Sequence, residues 1–169
     1  MRDLEVELAK KVFPKMPREV FDEWIAPSIE KYGWNFTSAD ESTAGSEWER
    51  SYGRENMLFF ATADWNLSEQ LIERRLFFFD TRQRADWIIR HATEGVKTKT
   101  ANVHNTVQRF RACTSIVHQS GTIPKPLIGY WFGCQIELVD GNHRLAALIH
   151  AFGFNGNVRV PIWLAQRPN

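Results

Sequence analysis

The chain has little cysteine, no excess of either charge and no long apolar run. Two cysteines, Cys113 and Cys134, are too few for the disulfide framework of a small secreted domain, so we expect reduced thiols. The 21 basic and 20 acidic residues leave a net charge of +1, which argues against coating of duplex DNA by charge alone. No run approaches the ~20 apolar residues of a membrane helix, and the charged start MRDLEVELAKK lacks a secretion core. We therefore expect a cytoplasmic protein without a membrane partner.

Several common binding motifs are also missing. The absence of G-x-x-x-x-G-K-[ST] and G-x-G-x-x-G excludes the ordinary P-loop and dinucleotide sites. The five histidines and two cysteines show no zinc-ligand spacing. Aromatic residues, in contrast, are plentiful: seven Trp and twelve Phe among 169 residues are enough for a packed core and for rings beside a groove.

Hydrophobic periodicity predicts an N-terminal helical region at 1–95, a possible specificity element, and a compact unit at 96–169. The first region is expected to hold several helices and a polar loop over 35–56. The predicted helices cover 4–12, Pro17 to Gly33, 66–78 and 80–92. Asp80 is the expected N-cap of the last of them.

The second region is expected to alternate helices with strands. Its order is a helix over 105–119, a strand over 127–131, a turn at Gly133, a strand over 134–139, a helix ending at Gly153 and a strand over 158–164. The two strands around Gly133 predict a hairpin. The whole pattern predicts an α+β fold, with a small mixed sheet, packed helices and an N-terminal helical extension.

The stretch VDGNHRLAAL, residues 139–148, places polar and turn-forming residues where a strand passes into a buried helix. Gly141 permits a sharp turn and the close approach of a ligand. The first amides of a helix have no partner inside it, and the helix dipole favours anions there, phosphate above all. Arg144 adds a guanidinium that matches phosphate oxygens. His143 can donate a hydrogen bond or move a proton, and Asn142 can hold an oxygen.

Each of these residues also has a structural interpretation. Asp140 could cap the helix, hold a metal or orient His143. Asn142 could be a turn residue, and Arg144 could pair with an acid such as Glu137. The convergence of all of them at one helix start that attracts anions favours the functional interpretation.

ELVDGNHRLAAL, preceded by IPKPLIGYW and a glycine turn and followed by GFNGNVRVPIWLA, resembles the ParB/sulfiredoxin superfamily over about residues 105–165. Sulfiredoxins carry Gly-Cys-His-Arg at this turn, and Asn142 stands here in place of that cysteine. The Asp-Gly-x-His-Arg turn of the superfamily's kinases of free serine is the most similar version. The resemblance implies a site for a nucleotide, ATP, ADP or CTP with Mg²⁺, in which Gly141, Asn142, His143 and Arg144 contact the phosphates.

The resemblance also implies phosphoryl transfer or phosphate-ester hydrolysis, by a kinase, an NTPase or a nuclease. Such chemistry needs little beyond positioning, charge neutralisation and usually Mg²⁺. His143, Asp140 and Glu137 are the candidate catalytic residues, and Asp80 is a further candidate base. Secondary candidates precede the helix that leads into the strand pair, where His104 and Asn105 could approach the ligand or cap that helix.

The alternative function is a non-catalytic ParB-like module of plasmid or phage type that binds DNA or protein. Its support lies in the most basic and aromatic part of the chain, which contains Arg74, Arg75, Arg82 and Arg84 together with Phe77–Phe79 and Trp87. Basic residues interleaved with aromatic rings suit single-stranded nucleic acid or a nucleotide base, although such arginines could equally lie on the solvated face of a helix.

Overall fold

The structure is a computed structural model that describes residues 2–36, 47–94, 101–154 and 157–168. It confirms the α+β class, with a mixed four-stranded sheet in the order β1-β4-β2-β3. The strands are β1 (Asp64–Leu71), β2 (Leu127–Phe132), β3 (Gln135–Asp140) and β4 (Arg159–Gln166). Within the described ranges no helix is both long and apolar enough to cross a membrane.

The chain divides into two compact units. The first comprises Met1–Asn66 with Ala165–Asn169, and the second comprises Leu67–Leu164. This division lies elsewhere than the predicted one near residue 95. The difference arises because residues 72–88 contribute Ile72, Phe77 and Ile88 to the same hydrophobic core as the C-terminal elements.

The first unit is helical and is built around aromatic side chains. Its elements are α1 (Arg2–Val12), α2 (Arg18–Val20), a π-helical turn (Phe21–Ile25), α3 (Ala26–Tyr32), α4 (Glu47–Tyr52) and α5 (Arg54–Thr62). Trp24 is 3% exposed, and its ring meets those of Tyr52 and Phe60 edge-on at centroid distances of 5.2 and 5.0 Å. These edge-to-face pairs add to the apolar burial that stabilises the unit.

The polar loop predicted over 35–56 is wrong for residues 47–56, where α4 and the start of α5 lie. Residues 37–46 lie outside the described part of the chain. One aromatic residue explains the error, because Trp48 is 1% exposed and anchors α4 although its neighbours are charged. A single buried ring of this size can hold a short helix that its overall composition does not predict.

The second unit contains the helices α6 (Phe79–Thr93), α7 (Ala101–Ser120) and α8 (Asn142–Phe152). The three helices pack on one another, and α6 and α8 also contact strands of the sheet. The predicted hairpin is confirmed, since β2 and β3 pair antiparallel with Trp131 opposite Ile136. Buried residues such as Leu138 and Leu145 join strand and helix on either side of the β3–α8 turn.

The helix predicted over 66–78 is wrong. Residues 64–71 form β1, and the chain that follows pairs with β3. The Ile136 amide donates to the Leu76 carbonyl at 2.7 Å, and the Phe78 amide donates to the Ile136 carbonyl at 2.8 Å. Hydrogen bonds to backbone groups that are distant in sequence therefore make this segment extended, although its local hydrophobic spacing predicts a helix.

The expected capping of α6 by Asp80 is also wrong. The N-cap of α6 is Phe78, which has an extended backbone and makes no side-chain cap hydrogen bond. Because the helix begins one residue earlier than expected, Asp80 lies within its first turn. A carboxylate there still favours the helix through the dipole.

Candidate functional site

The turn between β3 and α8 has the sharp geometry that the sequence predicts. Gly141 is the N-cap of α8 and has a left-handed backbone with φ 92° and ψ 12°. A Cβ atom at this position would lie 2.7 Å from Leu127 Cδ2 and 3.2 Å from Arg144 Nη2. The space that a side chain at position 141 would need is therefore occupied by Leu127 and Arg144. A ligand would have to reach the charged groups from outside the bend.

Arg144 forms an ion pair across this turn. Its Nη2 donates to Asp140 Oδ2 at 2.5 Å, and the two side chains are 10% and 39% exposed. The acid that pairs with Arg144 is thus Asp140 and not Glu137. The pair holds the guanidinium in one orientation beside the first turn of α8, where α8 has no side-chain cap.

The turn forms one wall of a pocket of about 280 Å³, which we call the turn pocket. Three elements line it: one face of α7, the loop before β2, and the β3–α8 turn. The lining residues are Arg109, Ala112, Cys113, Pro124, Lys125, Asp140, Gly141, His143 and Arg144. Four residues that the sequence singled out, Asp140, Gly141, His143 and Arg144, are therefore brought together here.

The lining of the turn pocket is predominantly cationic. Arg109, Lys125 and Arg144 are its basic residues, and Asp140 is its carboxylate. The sequence did not point to Lys125, and it left open whether Arg109 extends a phosphate-binding face or lies on the solvated side of its helix. The spacing of 109, 112 and 113 indicates one helix face, but nothing local indicates which face of α7 meets the turn.

His143 is partly buried beside the turn pocket. Its Nε2 is buried and has no hydrogen-bond partner among the described residues. Burial is the main cause that lowers its pKa below the ordinary value of about 6.5, and the guanidinium of Arg109 lowers it further. The negative charge of Asp140 raises the pKa of His143 in part. An imidazole that is unprotonated at neutral pH can accept a proton, while burial and the neighbouring cations make it a weaker base.

The lowered pKa of His143 has a consequence for stability. Below about pH 6.5 the unfolded chain binds a proton that the folded chain resists, so stability should fall as the pH falls through this value. We expect His143→Gln to reduce this loss, measured by urea unfolding at about pH 8 and about pH 5.5. The exposed His118, on α7, supplies the control variant His118→Gln. Equal pH dependence in the wild type and His143→Gln would contradict the assignment.

Cys113 also lines the turn pocket, and it is half-buried there. Burial raises the pKa of its thiol, while the charge of Arg144 acts in the opposite direction. The thiol therefore stays protonated at neutral pH and lacks the thiolate character of a nucleophilic cysteine. In this pocket it forms part of the wall.

Several predicted site residues lie elsewhere. The Glu137 carboxylate accepts a hydrogen bond from Tyr130 Oη at 2.6 Å and alternates with the buried Ile136 and Leu138, so it faces away from them. Asn142 does not line the turn pocket, and its buried Oδ1 has no partner among the described residues.

The secondary candidates also lie outside the turn pocket. His104 Nε2 is hydrogen-bonded to Gln108 at 2.9 Å, and Asn105 is exposed on the first turns of α7. Asp80 is exposed at the start of α6. In the part of the chain that the structure describes, no three His, Cys, Asp or Glu side chains are grouped so as to hold a metal ion.

The four arginines of the basic and aromatic segment have different neighbours. Arg75 pairs with Glu73 at 2.6 Å, Arg74 lies 5.9 Å from the Phe154 ring, and Arg82 lies 6.0 Å from the ring of Phe79. Arg84 is exposed on α6.

Comparison of the chain with protein-family models, with curated proteins and with solved structures yields no match.

Proposed function

We propose that this chain binds a phosphate-bearing ligand in the turn pocket, with the nucleotides ATP, ADP and CTP as the candidates. The observation that carries the proposal is the excess of cations around the pocket, where Arg109, Lys125 and Arg144 face one carboxylate. Arg144 is held by Asp140, so its guanidinium loses little freedom when it meets an anion.

The start of α8 supports the same proposal. The first hydrogen bond at this end of the helix runs from the Leu145 amide to the Gly141 carbonyl at 2.9 Å. The amides of the preceding helical residues have no partner within the helix, and the positive end of the helix dipole lies beside the cations. We propose the relation to the ParB/sulfiredoxin superfamily on the order α7, β2, β3, α8 and β4 around this turn.

The activity that we propose is phosphoryl transfer or phosphate-ester hydrolysis. His143 is the proposed base, since a lowered pKa leaves its imidazole unprotonated at neutral pH. Asp140 is a positioning residue, because its carboxylate orients Arg144. A bound Mg²⁺ ion would supply additional neutralisation of phosphate charge. Glu137 takes no part in the proposal, because it is absent from the pocket lining.

Arg109→Gln tests the proposal, with Arg111→Gln as its matched control. Both arginines are exposed on α7, but Arg109 lines the turn pocket and Arg111 does not. Phosphate, ADP, ATP or CTP at about ten times its Kd should raise the melting temperature of the wild type by about 3 °C. We expect Arg109→Gln to weaken binding about tenfold and Arg111→Gln to bind as the wild type does.

The contrary outcomes are distinct. If none of these ligands, with or without Mg²⁺, shifts the melting temperature, the phosphate site is refuted. Binding of single-stranded DNA with a steep dependence on salt, in the absence of a nucleotide shift, would favour the alternative module. That alternative has one structural observation in its favour, since Phe79 is 53% exposed with Arg82 over its ring.

A further inference from the structure

The turn pocket places a titratable side chain beside the cations that would hold an anion. His143 and Arg144 come from the start of α8, and Arg109 comes from α7. An anion bound in this pocket therefore lies near the imidazole as well as near the guanidinium groups. Charges in a partly buried site are screened less than charges in water, so the ligand and a proton on the imidazole must influence each other.

Charged and titratable groups reach the pocket from every element that lines it. They are Arg109 and Cys113 of α7, Lys125 of the loop before β2, Asp140 of β3 and Arg144 of α8. Burial is the main cause that lowers the pKa of His143, and Arg109 is the charged group that lowers it most. Arg144 lowers it further, against the opposite influence of Asp140. The cations that would attract an anion are therefore the ones that disfavour an imidazolium.

The buried ring nitrogen of His143 receives no help from the protein in holding a proton. Its Nε2 atom has no hydrogen-bond partner among the described residues, so an N–H group at this atom has no acceptor there. Burial and Arg109 both act against protonation, and a hydrogen bond that would compensate them at Nε2 is missing from the described part of the chain. Negative charge brought by a ligand would supply part of the missing compensation.

From this arrangement we infer that an anion in the turn pocket and a proton on His143 stabilise each other, so that the pocket binds its ligand more tightly as the pH falls. The inference rests on the proposed phosphate site and adds the regulation of that site. The anion offsets the positive charges of Arg109 and Arg144, which otherwise repel the imidazolium. By linkage, a ligand that favours protonation is itself bound better by the protonated protein.

The same coupling bears on His143 as the proposed base. Without a ligand, burial and the neighbouring cations keep the proton affinity of the imidazole low. A bound phosphate raises that affinity through its negative charge. His143 therefore accepts a proton more readily when the pocket holds a substrate than when it holds none.

Isothermal titration with sulfate tests the inference, at constant ionic strength and at about pH 5.5 and about pH 7.5. Sulfate keeps the same charge throughout this range, whereas phosphate titrates near pH 6 and would add a pH dependence of its own. We expect the Kd of the wild type for sulfate to be at least about 3-fold lower at the lower pH. One coupled proton allows at most about tenfold per pH unit.

His143→Gln locates the coupled proton, with His118→Gln as its matched control. The readout is the ratio of the two Kd values, which is independent of any overall loss of affinity in the variant. We expect this ratio to fall to about 1 in His143→Gln, because glutamine does not titrate. His118 is exposed on α7 and does not line the turn pocket, so its variant should keep the ratio of the wild type.

A direct titration of the imidazole by NMR needs no change at position 143. Saturating inorganic phosphate should raise the midpoint of the His143 resonance in the wild type by at least about 0.5 on the pH scale. Arg109→Gln, without any ligand, should raise the midpoint as well, because it removes the charge that the anion would offset. Arg111→Gln should leave it unchanged, since Arg111 is not part of the lining.

Failure of the coupling can be distinguished from failure of the phosphate site. If sulfate binds equally well at both pH values, or if the pH dependence persists in His143→Gln, the inference is wrong while the anion site stands. If phosphate binds and leaves the His143 midpoint unchanged or lower, the inference is also wrong, and this result decides if sulfate does not bind. If neither anion binds at either pH, the proposed phosphate site falls together with its regulation.

Discussion

Gly141→Ala is expected to lower the free energy of unfolding by about 3 kcal/mol. A residue with a Cβ atom costs about 1–2 kcal/mol in the left-handed region, where φ of Gly141 is 92°. The new methyl group would also lie 2.7 Å from Leu127 Cδ2, and an overpacked site of this kind costs roughly 1–3 kcal/mol. Urea unfolding at neutral pH measures the sum.

Gly133→Ala separates the two costs. Gly133 also has a positive φ, 62°, but no described atom lies within 4 Å of the position of its Cβ. This control should lose only the conformational part, about 1 kcal/mol. Equal losses at Gly133 and Gly141 would show that the β3–α8 turn has room for a side chain. That result would contradict the close packing of Leu127 and Arg144 against Gly141.

The Gly141→Ala variant should also bind phosphate more weakly. Its methyl group would lie 3.2 Å from Arg144 Nη2, so the guanidinium must shift. Since a charge-assisted hydrogen bond depends on its geometry, we expect the Kd for inorganic phosphate to rise about tenfold. Gly133→Ala, in the hairpin turn, should leave the Kd unchanged. The comparison uses the same titration for both variants.

Arg144→Met has the second large expected effect, a loss of about 2 kcal/mol in the free energy of unfolding. The Arg144 side chain is 10% exposed and donates to a carboxylate, and hydrogen bonds to charged groups contribute roughly 1.5–3 kcal/mol. Methionine keeps most of the apolar stem and removes the guanidinium, so the variant separates the polar contacts of Arg144 from its packing. Phosphate binding should be lost with the guanidinium.

A double-mutant cycle with Asp140→Asn assigns this loss to the pair. Asp140 is 39% exposed, so water solvates its carboxylate in part, and we expect a coupling energy of about 1 kcal/mol. Losses that add to within about 0.3–0.5 kcal/mol would mean that the two residues do not interact in solution. In that case Asp140 has no role in orienting Arg144.

The sequence by itself determined the features that depend on interactions between residues close together in the chain. The β2–β3 hairpin follows from strand alternation on both sides of Gly133, whose φ of 62° suits a tight turn. The sharp bend at Gly141 and the amphipathic α8 after it follow from glycine and from apolar residues at helical spacing. Such features depend on residues within a few positions of one another, so a pattern in the sequence contains them.

Tertiary structure alone decided the features that involve distant residues. Residues 64–71 are a strand because the sheet offers them backbone partners, and α4 exists because Trp48 finds a buried place. The turn pocket requires Arg109, Lys125 and Arg144 to meet from three separate elements. Arg144 pairs with Asp140 and not with Glu137 because the two acids occupy different faces of β3. Sequence spacing carries no information about how α7 rotates against the sheet, because that rotation is set by packing between surfaces that are remote along the chain.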